Sequence, residues 1–470
     1  MASTLLSQIN QGLTSVPPEE NELVISYYET LFKFLIEYSW IYDIKITELF
    51  IKRTLDLMPQ EWKYALSNLS DESLQKLPFH EKLPVQEDLP SSLKKFIHTA
   101  AELSLPRDLD TSITPVVIPE SVKRGMIPKK HHEVSHMAAV VQNVCQESEL
   151  VLDVGSGLGY LGNVLGEQCG LHVLGLESID ERSHGASKMT EKNCFSSSLV
   201  DSLAFRLTDS ESCFDEIENI LIDRLHKIAS TGQQNSPHKT SSVCMVGLHC
   251  CGSLTPIMMK LFQRPIIKSL VCIGCCYHSI PLNDDGVHEH FPMSNCTKHF
   301  MKQVKETYPG WKLGTYGLRL GAQETRARWF SQTPEDHLYH TKNVAYRAIV
   351  EAWAHAAGIE LKKEMKLTAK KKDFENFQSY VSAVKLKTTL RGQTELTTQL
   401  QEEHNKYEEY FPLIEPFTAL QVIMQPVIES FIVIDRALYL SESKKCNPPS
   451  VIPIFDEYIS PRNLAIIVKK

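Results

Sequence analysis

Asp153, Gly155, Gly157 and Gly159 fall at alternate positions in the run Val-Leu-Asp-Val-Gly-Ser-Gly-Leu-Gly-Tyr-Leu, residues 151–161. The pattern is an apolar strand that ends on an acid and passes into a glycine turn. Glycine lets the backbone bend sharply and lets a ligand approach it closely. The turn opens a helix, whose unpaired N–H groups and dipole favour polar or anionic ligand groups. A second apolar run, residues 172–177, ends on Glu177. An acid at that place can accept two hydrogen bonds from a ribose diol. These features predict a nucleotide-like cofactor at the mouth of a parallel sheet, held by Asp153, Gly155, Ser156, Gly157, Gly159 and Glu177.

Two cofactors compete for that geometry. Gly157, Gly159 and Gly162 spell the dinucleotide pattern G-x-G-x-x-G. In that register Asp153 would be an unpaired acid buried inside the strand, which is costly. In the other register the acid lies at the strand's end, where it can meet a positive amino group. That is the pattern of S-adenosylmethionine enzymes, and S-adenosylmethionine is the expected cofactor.

A second constellation follows the fourth and fifth expected strands: Gly247-Leu248-His249-Cys250-Cys251-Gly252 and Gly274-Cys275-Cys276-Tyr277-His278. Both segments leave the carboxyl ends of parallel strands, the edge where open α/β sheets bind ligands. Cysteine and histidine are good soft-metal ligands, but the spacings are not those of a zinc finger. A cysteine attacking a pyrimidine ring needs an activated thiolate, and the usual Pro-Cys context is absent. The preferred reading packs Cys250, Cys251, Cys275 and Cys276 into the pocket floor, with no metal. His249, Tyr277 and His278 are the candidate catalytic side chains. Methyl transfer needs a nucleophile held in line and water excluded, and a histidine can take the nucleophile's proton. No Asn/Asp-Pro-Pro-Tyr/Phe segment follows the fourth strand, so the adenine-amino chemistry that uses it has no support.

The elements that must position these residues follow the same reading. A helix is expected from about Met126 to Cys145, feeding the first strand. Further strands are expected at 203–207, 243–248 and 269–273. A helix over 429–440 and paired strands at 451–455 and 464–468 would close a seven-stranded sheet. Residues 1–114 read as an N-terminal helical module, with Leu23, Tyr27, Tyr28, Leu31, Phe32 and Leu35 at helical spacing. Residues 115–342 read as the core, 343–412 as a helical insertion and 413–470 as the end of the core. Lys362 and Lys387 bound a run of eight lysines against Glu364, Asp373 and Glu375.

Composition sets the outer bounds. The chain has 470 residues, 42% hydrophobic and 23% charged, an ordinary globular balance. No run of 18 apolar residues and no secretory leader are read, so no membrane is expected as a partner. Twelve cysteines are present and seven lie between Cys244 and Cys296. That clustering does not suit a disulfide framework and places the protein in the cytoplasm or nucleus. The net charge of −8 argues against wholesale nucleic-acid binding but leaves room for a local basic patch.

The chain resembles the methyltransferase-like protein 25 family, which includes proteins labelled as ribosomal RNA adenine dimethylase domain-containing. The resemblance rests on Lys129-Lys130-His131-His132-Glu133, Val154-Gly155-Ser156-Gly157, Gly247 to Gly252, Gly274-Cys275-Cys276-Tyr277, Phe291-Pro292-Met293-Ser294, Tyr346-Arg347-Ala348 and Ser460-Pro461-Arg462-Asn463-Leu464. Where the family more often has an acid after Gly252, this chain has Ser253. The resemblance implies a Rossmann-like, seven-stranded class I methyltransferase fold and S-adenosylmethionine binding. Lys129, Lys130 and Glu133 match a segment that often covers the cofactor. The expected function is methyl transfer to RNA, ribosomal RNA included, with the lysine run gripping phosphates and the N-terminal module docking a protein partner. The alternatives are a protein or small-molecule methyltransferase, or a non-catalytic scaffold.

Overall fold

The computed structural model describes residues 1–12, 18–79, 88–145, 148–192, 199–230, 240–323, 325–359, 361, 369–384, 394–443 and 446–470. Seven strands form one sheet: β1 (Ser148–Val154), β2 (His172–Glu177), β3 (Val200–Ala204), β4 (Thr240–Cys251), β5 (Ile267–Cys275), β6 (Ser450–Pro453) and β7 (Leu464–Lys469). Their order is β3-β2-β1-β4-β5-β7-β6. β7 runs antiparallel to both neighbours, and the other pairings are parallel. From β1 the chain goes to β2 on one side, and β4 pairs on the other. The carboxyl ends of β1 and β4 therefore flank the switch point where such sheets open a crevice.

The central strands read as apolar because both faces are covered. β5 is buried at every position from Ser269 to Cys275. The helix Pro128–Val144 starts with proline at its first turn, where a missing N–H costs nothing. The helix Tyr160–Cys169 lies between two left-handed glycines, Gly159 and Gly170. β3 begins and ends three residues before the expected 203–207, because its ladder with β2 runs from Val173–Val200 to Glu177–Ala204.

The chain divides into two compact units, one of residues 1–31, 103–312 and 429–470, the other of residues 32–102 and 313–428. These cuts differ from the expected boundaries at 114, 342 and 412. Residues 1–31 do not stand apart as a module: Tyr28 stacks on Phe300 at 4.7 Å and shares a 2.6 Å hydrogen bond with Thr297. Residues 103–114 are tied in likewise, with Leu105 N donating to Ser430 Oγ at 2.8 Å.

The second unit has its own aromatic core, with Phe34 stacked on Phe96 and Tyr38 on Trp62. Its helix Pro334–Ala356 begins well before the expected insertion. Thr333 and Asp336 form a capping box there, with proline in the first turn. A cavity of about 680 Å³ in this unit is lined by Tyr346, Phe377, Phe411 and Glu415, among others. His337 and His340 each hold the Glu415 carboxylate at 2.6 Å. The helix Ile414–Ser441 was expected only over its last part. The helical run Thr398–Ser441 that contains it is long and apolar enough to cross a membrane by composition, with an 18-residue window of mean hydropathy 1.7, and that window is wholly buried in the protein.

Candidate active site at the glycine loop

The loop after β1 folds back on β2. Gly155 N and Ser156 N both donate to Leu176 O, at 2.8 and 3.0 Å, and Gly159 N donates to Ser156 O at 2.9 Å. Gly155, Gly157 and Gly159 all have positive φ, +74°, +59° and +76°, a region that side chains disfavour. The glycines serve different ends. A Cβ on Gly159 would press on Ala186 Cβ at 3.2 Å, whereas one on Gly157 would meet nothing within 4 Å. Gly159 is needed for packing, and Gly157 borders open space that a ligand can enter.

Three polar groups face this loop. Glu177 Oε2 accepts from Gly157 N at 3.1 Å, and Oε1 accepts from Ile179 N at 3.1 Å. Ser178 Oγ also donates to Oε1, at 3.3 Å. A carboxylate has about four acceptor sites, so Glu177 keeps room for one further donor, such as a ribose hydroxyl. Ser156 Oγ is buried and makes no hydrogen bond among the described residues. Asp153 is 2% exposed. Burial pushes its carboxyl up to about 7, with Glu177 adding to the rise and Lys130 opposing it. An orphaned hydroxyl, a buried acid without an ion pair among the described residues, and a glycine facing open space fit a cofactor carrying an amine and a diol.

Glu133 lies on the helix Pro128–Val144 and is 2% exposed. Its Oε1 meets His249 Nε2 at 2.8 Å and accepts from Ser460 Oγ at 2.8 Å. Lys130 Nζ stands 3.4 Å from Oε2, and Lys129 Nζ 3.7 Å from Oε1. Burial alone would raise this carboxyl. The His249 hydrogen bond and charge, with Lys130 and Ser460, outweigh it and hold Glu133 at about 2. Sequence placed Glu133 over the cofactor; in the structure its carboxylate is hydrogen-bonded to His249 and Ser460. His249 itself has φ +62°, where the β4–β5 register shifts between Gly247 and Cys250. The bulge turns a strand residue into a presented one.

The other expected residues separate. Cys250 faces the interior, its thiol 3.3 Å from Met258 Sδ. Cys251, Cys275 and Cys276 converge, with their sulfurs all within 4.8 Å of one another. Cys251 is exposed. Its thiol is lowered to about 6, first by the hydrogen bond with Cys275, against burial, with Cys276 and His249 assisting. Tyr277 is not at the site. It is buried, and its hydroxyl donates to Glu429 Oε1 at 3.1 Å beneath Arg436. Burial, then the charge of Glu429, raises its pKa far above the usual value. His278 sits half-buried on the turn Tyr277–Ser279.

The Glu133–His249–Ser460 grouping was missed at the level of sequence. Its members lie 116 and 327 residues apart. Each member lies in a segment on which the family resemblance rests, Lys129–Glu133, Gly247–Gly252 and Ser460–Leu464, but no spacing in the sequence joins them.

Residues 129–282 match a family model described as a methyltransferase domain. The match contains Glu133, the glycine loop, Glu177, His249 and the cysteine cluster. The chain is 22% identical to the human "Probable methyltransferase-like protein 25" over 464 residues, 73% of this chain and 74% of that protein. The mouse protein of the same name is 22% identical over 476 residues, 75% and 77% of the two chains. Among solved structures, coclaurine N-methyltransferase bound to N-methylheliamine and SAH is 12% identical, covering 99% of this chain and 98% of that one, with a TM-score of 0.24.

Proposed function

We propose that this chain, which carries a class I methyltransferase domain and resembles methyltransferase-like protein 25, moves a methyl group from S-adenosylmethionine to RNA. The observation that carries the reading is one crevice with two complementary walls. At the end of β1 is an open glycine loop between Asp153 and Glu177. On the adjacent β4 is a histidine held by a buried carboxylate. The cofactor supplies a methyl group already activated by its sulfonium. Asp153 would receive the amine and Glu177 would accept from the diol, with Gly155, Ser156, Gly157 and Gly159 forming the loop beside them. Glu133, ionised at all working pH values, fixes His249 through Nε2 and leaves Nδ1 to take the acceptor's proton.

RNA is the substrate favoured by the lysine run. Lys370, Lys371 and Lys372 are exposed, although Lys371 Nζ is engaged by Asp336 at 3.1 Å. Residues 362–368 and 385–387 of that run lie outside the described residues. A second reading, a protein or small-molecule acceptor, is favoured by the net charge of −8, with the N-terminal helices as docking surface. A cytoplasmic or nuclear setting suits either.

Calorimetry with S-adenosylmethionine, S-adenosylhomocysteine and NAD tests the cofactor. The first two should bind wild type and fail to bind Asp153→Ala, and NAD should not bind. Normal S-adenosylmethionine binding by Asp153→Ala would remove the assignment. RNA binding should weaken steeply with salt, and a flat salt response would favour the second reading.

A further inference from the structure

Cys251, Cys275 and Cys276 have no part in the function just described. Cys251 ends β4 and Cys275 ends β5, directly opposite each other in the ladder. Their sulfurs lie 3.1 Å apart. Cys276 follows with φ +48°. Neighbouring strand residues normally point to opposite faces, but this left-handed residue breaks the alternation and brings the third sulfur to the same place. Among the described residues only three non-glycines have positive φ, and two of them, His249 and Cys276, flank this cluster. Such a conformation costs about 1–2 kcal/mol per residue. Thiols that merely pack as small apolar groups need no such backbone.

We propose that Cys251, Cys275 and Cys276 bind one thiophilic divalent ion, zinc in the first instance, through three sulfurs with a fourth position open to the crevice. Tetrahedral zinc with bonds of about 2.3 Å places its sulfurs about 3.8 Å apart. The observed sulfurs, from 3.1 Å for the closest pair to within 4.8 Å, bracket that value. The all-sulfur donor set selects against magnesium and calcium, which prefer oxygen. His249 and Arg462 are the cations whose charges reach these thiols, His249 at Cys251 and Arg462 at Cys276. They offset the excess negative charge of three thiolates on one divalent ion. Exposed Cys251 marks the open side, and three protein ligands with one vacancy is the arrangement of zinc sites that meet a substrate. Binding displaces the thiol protons, and the Cys251 and Cys275 thiols give up their hydrogen bonds to His249 O. The inference does not depend on methyl transfer.

The test uses the full chain, purified with a phosphine reductant and without chelator. Zinc is counted by mass spectrometry, and apo-protein is titrated with cobalt(II) while the sulfur-to-cobalt charge-transfer band is recorded. About one ion per chain and a tetrahedral cobalt spectrum are expected. Cys251→Ser and Cys276→Ser should each weaken binding about tenfold or more. Cys169→Ser, outside the cluster, should leave it unchanged. Circular dichroism confirms that each variant is folded, and the wild-type titration stands even if a variant fails. No uptake of either ion by reduced wild type would overturn the proposal. So would a Cys251–Cys275 disulfide that persists under the reductant, or undiminished binding in both cluster variants.

Discussion

Asp153 and Glu133 are both buried acids in the same crevice, and they are held in opposite states. Asp153 lies at the end of β1 without an ion pair among the described residues, and burial pushes it up to about 7. Glu133 has four polar neighbours, Lys129, Lys130, His249 and Ser460, and is held at about 2 despite its burial. One acid still lacks its charge partner, and the other is already spent. Environments that drive two titratable groups apart are how a site assigns different tasks to one residue type. On the proposed function, Asp153 belongs to the wall that takes the cofactor's cationic amine. The Glu133–His249–Ser460 hydrogen bonds, which the proposed function assigns to the acceptor wall, are formed within the protein itself.

The sharpest break of this contrast is Gly157→Val. A Cβ at that position meets no protein atom within 4 Å, so the variant should fold at a cost of about 1–2 kcal/mol for its left-handed backbone. S-adenosylmethionine binding should nonetheless be lost in calorimetry, because the side chain fills the ligand's space. Binding at wild-type strength would move the cofactor elsewhere. Next in size is Glu133→Gln. The amide keeps the shape and loses the charge that fixes His249. The initial rate of labelled-methyl incorporation into total RNA should fall about a hundredfold, while cofactor affinity changes little. An equal fall in cofactor affinity would return Glu133 to the cofactor wall.

The pH dependence separates the two acids directly. S-adenosylmethionine needs Asp153 ionised, so its affinity should rise about tenfold per unit up to about pH 7 and then level off. Proton release should appear as a heat that varies with the buffer's ionisation enthalpy. Stability of the ligand-free protein runs the other way. The folded pKa of Asp153 lies above its unfolded value of about 3.9. The folded state therefore holds the extra proton between those values, and stability falls as pH rises through that window. The loss reaches about 4 kcal/mol by pH 7 and above. Asp153→Asn should flatten both profiles, and Glu133→Gln should flatten neither. A slope that survives Asp153→Asn would assign the titration to another group.

The same division explains what could be read in advance. The cofactor wall lies within one strand–turn–strand segment, 153–177, where glycine spacing and strand-end acids carry their meaning locally. β2 was read at its observed limits, and the loop residues came out together. The acceptor wall is assembled across 116 and 327 residues. No periodicity links Glu133 to His249, and a left-handed histidine inside a strand leaves no trace in residue type. The apolar pattern could not locate the unit boundaries either. The stripe at Tyr27, Tyr28 and Leu31 gives the buried face of a helix but not the unit it packs into. Tyr277 was misplaced for a related reason. Position after a strand says that a residue is near the crevice, and its rotamer decides whether it enters.

Tyr277→Phe tests that last point with the smallest expected effect. The Tyr277 hydroxyl donates to Glu429 Oε1, and Glu429 Oε2 is also held by Arg107 at 2.5 Å and Arg462 at 3.0 Å. Removing the hydroxyl leaves both charge partners in place, so the buried carboxylate remains compensated. Urea unfolding should show a loss of about 2 kcal/mol, the worth of one hydrogen bond to a charged group. The ring stays beneath Arg436, so packing contributes little to the change. Methyl transfer should proceed at the wild-type rate, since the Tyr277 hydroxyl is buried and already engaged by Glu429 and Gly274 O. A tenfold slower rate in a variant of unchanged stability would mean that the hydroxyl reaches the acceptor in the working enzyme. Tyr277 would then belong with His249 in the acceptor wall.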